Sequence, residues 1–310
     1  MEKKVLVIGS LNYDIILNAE RLPEKGETYV CKGADRCCGG KGGNQAAQCG
    51  KLNIKTYMAG RVGRDFSGEI LLQGLKEAGV DTRLVEKDQT ETGLGVVYAL
   101  EDGSVYAGIV PGANSKVSKA DVEKAACFMD ENTVVILQLE IPVETVEYAV
   151  ETAKKRGSRI ILNTAPAGIV KEDILRQCDY VVANEVEAEV LTGKSITDKV
   201  SAGEAAACLA RKLGNTCIFT LGSQGAVAGA GENIWFCPAY AVKAVETTGA
   251  GDSFIGGLAW GIIEGMEFSK ILSQASMCSA ITVQSPGGQP SMPTLSKVLE
   301  FRKKAADSPA

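Results

Sequence analysis

At 310 residues, with 45% hydrophobic and 23% charged residues, the chain has room for one large α/β domain, or a domain with a small appendage. A formal net charge of −5 with no basic run points away from nucleic acid and anionic membranes as partners, and no apolar stretch approaches the ~20 residues of a membrane span. There is no histidine, which excludes Ser-His-Asp and Cys-His nucleophile systems and ordinary zinc sites; acid–base work falls to carboxylates, lysine, tyrosine or cysteine.

Met1-Glu2-Lys3-Lys4 leads into only Val5–Ile8 before Gly9, which reads as a buried strand rather than a signal-peptide core, so a cytoplasmic protein is expected. The ten cysteines are scattered between Cys31 and Cys278 without a CxxC pair and read as reduced. Asp14–Leu17 and Thr28–Lys32 are strand-like around a turn-rich stretch at 21–26. Leu94–Leu100 and Val105–Val110 flank Glu101-Asp102-Gly103-Ser104, a hairpin signal. Val134–Leu137, Ile160–Leu162, Tyr180–Ala183 and Cys217–Leu221 are short apolar runs of buried strands, while Val143–Arg156 and Gly203–Leu213 have helical spacing. This alternation predicts a central, mostly parallel sheet with helices on both faces. The four extra strands predict a small β lid, about residues 12–38 and 93–110, on a single domain spanning 1–310. Residues 305–310 read as a frayed end.

Glu246-Thr247-Thr248-Gly249-Ala250-Gly251-Asp252 runs into an apolar helix through Ile255, Leu258, Ile262 and Ile263. Gly249, Ala250 and Gly251 therefore lie where the first helical amides lack partners, an anion site at the positive end of the dipole. Asp252 beside it reads either as a base that deprotonates a hydroxyl attacking a bound phosphate, or as a first-turn charge that favours the helix. Asn12 and Asp14 follow the first strand; they could grip neighbouring hydroxyls or form local turn bonds. Gly39-Gly40-Lys41-Gly42-Gly43-Asn44 is not a P-loop: Gly42 follows the lysine where Ser or Thr is required, and Asp35 stands at the first glycine position. It reads as a close-approach loop entering a helix at Asn44, with Lys41 and Asn44 free to bond a polar ligand. Gln138-Leu139-Glu140 puts polar residues at the end of a buried strand, either a solvent-facing edge or a ligand contact. Asn184 and Glu187 are either a capping pair or a phosphate or magnesium site. Thr220, Gly222, Ser223 and Gly225 follow another strand; they could wrap a nucleotide or be an ordinary strand-to-turn segment.

Taken in order, these motifs make the chain resemble the PfkB carbohydrate kinases, and within them the ribokinases, from about Val5 to Pro293. The resemblance implies a ribokinase-like three-layer sandwich with a β lid that often makes the dimer contact, hence a homodimer. It also implies phosphorylation of the 5-hydroxyl of D-ribose by ATP. Asn12, Asp14, Gly40, Lys41, Asn44 and Glu140 would hold the sugar, Asp252 would be the base, and the amides of Gly249, Ala250 and Gly251 the anion hole. Asn184 and Glu187 would serve the phosphates and Mg²⁺; Thr220, Gly222, Ser223, Gly225, Gly251 and Ser276 would face ATP. Glu246, Thr248, Thr282, Ser285, Gly287 and Ser291 would surround K⁺, mostly through carbonyls. Glu246 stands where the family commonly has Asp, and Ser276 where it often has Asn. A kinase of another sugar or of a nucleoside, and a non-catalytic sugar-binding regulator, are the competing readings; the intact GAGD favours an enzyme.

Overall fold

Successive residues of the buried strands face opposite ways and enter two separate apolar cores. The structure, a computed structural model, describes residues 2–102 and 104–307. In chain order the strands are β1 (Lys4–Ile8), β2 (Asn12–Ala19), β3 (Gly33–Gly39), β4 (Thr56–Gly63), β5 (Val80–Asp88), β6 (Gly93–Leu100) and β7 (Val105–Val110), then β8 (Thr133–Leu137), β9 (Arg159–Asn163), β10 (Tyr180–Asn184), β11 (Thr216–Thr220), β12 (Ala226–Ala230) and β13 (Asn233–Cys237). Val5, Val7, Val134, Ile136, Ile161, Val182 and Ile218 enter one core; Leu6, Ile8, Val135, Leu137, Ile160, Leu162, Val181 and Phe219 enter the other. A strand buried on both faces has no polar side, so these segments read as continuous apolar runs.

Among the described residues the strands form a nine-stranded sheet, ordered β13-β12-β11-β10-β9-β8-β1-β4-β5, and a separate four-stranded sheet, ordered β3-β2-β6-β7. The large sheet is parallel except for β12 and β13. Helices α1 (Lys41–Lys51), α2 (Phe66–Glu77), α8 (Ala250–Glu264), α9 (Phe268–Thr282) and α11 (Leu295–Asp307) cover one face. The other is covered by α3 (Lys119–Ala125), α4 (Val143–Lys155), α5 (Glu172–Leu175), α6 (Glu185–Thr192) and α7 (Lys199–Leu213). The short α10 (Gly288–Ser291) packs between β3 and α1. This is the predicted three-layer sandwich with a small second sheet.

Two local expectations are corrected. Residues 28–32 form no strand; β2 pairs instead with β3, in the register Asn12↔Gly39 to Asn18↔Gly33. The first four residues of β3 are exposed, so no apolar alternation marks it. Helix α1 begins at Lys41, a turn before Asn44, because Gly42 and Gly43 are helical. Glycine is a poor helix former, but a Cβ on Gly42 would come 2.6 Å from the Ser10 amide nitrogen, so close packing on the β1–β2 turn requires it. Gly103 of the expected hairpin and residues 308–310 of the expected frayed end lie outside the described residues.

Candidate active site

Two helices start side by side, and only one keeps its donors free. Both α1 and α8 have a glycine N-cap at φ 79°, Gly40 and Gly249, with no side-chain cap. The first amides of α1 are nonetheless satisfied: Lys41 donates to Glu140 Oε2 at 2.9 Å, Gly42 to Ser10 Oγ at 3.2 Å and Gly43 to the Ser10 carbonyl at 2.8 Å. In α8 the amides of Gly249, Gly251 and Asp252 have no acceptor among the described residues, while Ala250 donates to the Thr247 carbonyl at 3.2 Å. Of the three donors expected in the anion hole, Ala250 must therefore swing away from Thr247 to take part. The open donors and the helix dipole leave the α8 start able to take an anion.

Asp252, in the first turn of α8, is buried. Its Oδ2 accepts from Asn44 Nδ2 at 2.9 Å and its Oδ1 from Gln45 Nε2 at 2.8 Å. Burial pushes its carboxyl above the ordinary range, opposed by the Lys41 charge and the two amide donors. The amide of Gln45 also donates to Asn163 Oδ1 at 3.1 Å and accepts from Gln138 Nε2 at 2.7 Å. Asn44 Oδ1 is buried without a partner among the described residues, an acceptor suited to a ligand hydroxyl.

A cluster of polar residues gathers where β2 and the start of α1 approach Glu140 and Asp252. Asn12, on β2, is buried and accepts from Asn114 Nδ2 at 2.7 Å; Asn114 is itself tied to both backbone groups of Leu11. Asp14 shares that face of β2. Its carboxyl is pushed up to about 6, first by burial and then by Glu140 and Asp252, against a bond from the Gly95 amide. Glu140 also accepts from Ser10 Oγ at 2.6 Å. Desolvation works against the charge of Lys41, yet Asp252, Glu140 and Glu187 together hold it firmly protonated. Asp14, Lys41, Asn44 and Glu140 thus lie within electrostatic or hydrogen-bond reach of one another or of Asp252.

A cavity of about 510 Å³ opens on the other side of the α8 start. Thr220, Gly222, Ser223, Gly225, Gly251 and Ser276 all line it, beside Ala250 and Phe254. Asn184 and Glu187 form a reciprocal capping box at the start of α6, so the plain capping role is present. Glu187 nevertheless faces the site: its carboxyl is pushed up by burial, and its charge acts on Lys41. Glu246 reaches across to the Gly287 amide, which donates to its Oε2 at 2.9 Å, and Val283 O accepts from both Val245 and Glu246. The segment 246–248 and the loop 283–291 therefore meet behind the anion site. Carbonyl oxygens of Glu246, Thr248 and Ser285 accept no hydrogen bond from the described residues. Thr282 Oγ1 points elsewhere, to Ser253 Oγ at 2.8 Å and the Cys278 carbonyl at 2.9 Å, and Ser291 Oγ bonds the Gly288 carbonyl at 2.9 Å. Among the described residues no group of three His, Cys, Asp or Glu side chains is arranged to hold a metal.

Sequence reasoning missed Gln45, Asn114 and Asn163; Gln138, read there as a solvent-facing edge or a ligand contact, is buried and bonded to Gln45. Buried amides on an apolar pattern were the available signal, since such groups require partners.

The pfkB family carbohydrate kinase model matches residues 2–295. A ribokinase of Schizosaccharomyces pombe is 37% identical over 308 residues, covering 95% of this chain and 96% of the relative. A deoxyribokinase of Salmonella typhimurium is 34% identical over 301 residues, covering 96% and 98%. The structure of Arabidopsis thaliana ribokinase complexed with ribose and ATP superposes with a TM-score of 0.88 at 34% identity, covering 98% of this chain and 99% of that one. With a carboxylate fixed beside a helix-terminal anion site and the family model spanning nearly its whole length, the chain belongs to the pfkB family of carbohydrate kinases.

Proposed function

We propose that the protein transfers the γ-phosphoryl group of ATP to the 5-hydroxyl of D-ribose. The observation that carries this reading is the start of α8: Gly251 lines the large cavity, and the next residue, Asp252, is bonded to Asn44 and Gln45 on α1. One turn of helix thus joins a nucleotide-sized cavity to a cluster of polar side chains. The likeness to ribokinases supports ribose and ATP as the substrates.

In this mechanism Asn12, Asp14, Gly40, Lys41, Asn44 and Glu140 bind the sugar hydroxyls. Asp252 takes the proton of the 5-hydroxyl as its oxygen attacks the γ-phosphorus; the bond from that phosphorus to the leaving ADP oxygen breaks, and the proton stays on Asp252 until product leaves. The amides of Gly249, Ala250 and Gly251 neutralise the charge building on the transferred group. Mg²⁺ bound with the nucleotide would supply positive charge against its phosphates. The donor set fits an ion carried on the phosphates, with Asn184 and Glu187 as its outer partners. K⁺ at the carbonyls of Glu246, Thr248, Thr282, Ser285, Gly287 and Ser291 would order the loop behind the anion site. The small sheet acts as a lid over the sugar, and a second copy packs on it to make a homodimer; exposed Tyr106, Ile109 and Val110 on β7 support this. A reducing, cytoplasmic setting is supported by ten free cysteines.

Asp252→Asn tests the reading against a sugar-binding regulator. It preserves size while removing proton affinity, so ribose-dependent ADP release should fall ~10²–10⁴-fold. Ribose and ATP should still bind within about tenfold of wild type, ~1.4 kcal/mol. Undiminished turnover would return Asp252 to a helix-start role.

A further inference from the structure

We propose that Gln45 is the positioning residue of the general base, and that Gln138 and Asn163 lock Gln45 in the one amide orientation that can do this. The inference rests on the reading of Asp252 as that base.

Asp252, once ionised, can only accept hydrogen bonds. Whatever meets Oδ1 must be a donor, so Gln45 turns Nε2 toward it, at 2.8 Å. The second hydrogen on that nitrogen goes to Asn163 Oδ1 at 3.1 Å, and Asn163 in turn donates to the Val182 carbonyl at 3.3 Å. The remaining oxygen of Gln45 receives Gln138 Nε2 at 2.7 Å. Rotating the Gln45 amide by half a turn would set its oxygen against two acceptors and its nitrogen against a donor. All of this is buried, so water cannot compensate. The order ends at Gln138, whose buried Oε1 has no partner and lies where a Cβ on Gly9 would come within 1.9 Å. A network that tolerates one unpaired oxygen at its far end while keeping the Gln45 donor on Asp252 is organised around that carboxylate.

Asn44 holds Oδ2 from the same helix, so the plane of the carboxylate is set by two consecutive residues of α1. The charged groups facing Asp252 are Lys41 on α1, Glu140 after β8, Glu187 on α6 and Asp14 on β2. Lys41 stabilises its charge and the three carboxylates oppose it; Gln45 acts with Lys41. Taking away the Gln45 donor leaves the charged form less stabilised, so the base stays protonated to higher pH.

The test compares the full-length wild type with Gln45→Met, Gln138→Met and Asp252→Asn, using kcat at saturating ribose and ATP across pH. Gln45→Met should lower kcat about 10–100-fold and move the acidic limb up by about one pH unit, with KM for ribose within about threefold. Gln138→Met, which frees Gln45 to rotate, should shift the limb in the same direction by less. A purely structural residue would lower the folded fraction without moving the limb. An unmoved limb in folded Gln45→Met, or in Gln138→Met where Gln45→Met does not fold, overturns the inference. Full turnover by Asp252→Asn would overturn the reading beneath it; a dead Asp252→Asn with unmoved limbs in the other two overturns this inference alone.

Discussion

The Asp14 carboxylate occupies the space that a side chain on Gly39 would need: a Cβ there would stand 1.9 Å from Asp14 Oδ2. Gly95 on the opposite neighbouring strand makes the same allowance, its Cβ position lying 2.3 Å from Asp14 Oδ1. Asp14 pairs with Cys37 on one side and Gly95 on the other, and the glycines let its carboxylate lie down between the strands.

Gly39→Ala should therefore displace Asp14 and weaken sugar binding without touching the cavity beyond α8. KM for ribose is expected to rise at least about tenfold, ~1.4 kcal/mol, with ATP affinity unchanged by calorimetry. An unaltered KM would mean that the carboxylate has another place to go.

Acid should weaken sugar use through the same group. The folded pKa of Asp14 is raised from 3.8 to about 6, so its charged form is lost as pH falls through about 6 and kcat/KM for ribose should fall with it. Stability runs the other way: this group destabilises the sugar-free protein as pH rises from 3.8 to about 6, because the folded state holds its proton longer than the unfolded one. Asp14→Asn should abolish that loss of melting temperature. A sugar-free melting profile over this range identical in wild type and Asp14→Asn would contradict the assignment.

Ribose should be preferred to 2-deoxyribose. Beside Asp252 lies the acceptor Asn44 Oδ1, unpartnered among the described residues, and a sugar lacking one hydroxyl leaves a buried polar group unpaired, at about 1–3 kcal/mol. The expected ratio of kcat/KM is about 5–150-fold. Equal values would show that no sugar hydroxyl unique to ribose answers a buried polar group of the site.

Replacing Na⁺ by K⁺ at fixed ionic strength should raise the rate if the carbonyls of Glu246, Thr248 and Ser285 close on a monovalent ion. The Glu246 side chain already bridges to the Gly287 amide at 2.9 Å, which brings the two segments together before any ion binds. Identical rates in the two salts would show that this bridge does the work of the ion.

Much of the architecture was legible because β1, β8, β9, β10 and β11 are buried on both faces and read as unbroken apolar runs. β3 was not, since an exposed edge strand of Gly33-Ala34-Asp35-Arg36-Cys37 has no pattern to show; its position comes from main-chain pairing with β2. The start of α1 was misjudged for a related reason: Gly42 and Gly43 are helical only because the backbone of Ser10 lies against them. At the site, the motifs at Asn12, Lys41, Glu140 and Asp252 were legible through residue types at strand and helix ends. The amide network behind Asp252 was not, because Gln45, Gln138 and Asn163 lie on three distant stretches of chain and meet only in the fold.

The uncapped start of α8 makes this helix an unfinished one. A helix N-cap is typically worth ~0.5–2 kcal/mol, and none is supplied here by the chain; an anion lodged at Gly249–Gly251 would supply it. Amide hydrogen exchange at Gly251 and Asp252 should therefore be fast in the empty protein and slow once nucleotide is bound, whereas Gly42 and Gly43, already bonded to Ser10, should exchange slowly in both. The substrate would then be a structural part of the element that carries the chemistry, and the protein's resistance to heat and proteolysis would follow the supply of nucleotide around it.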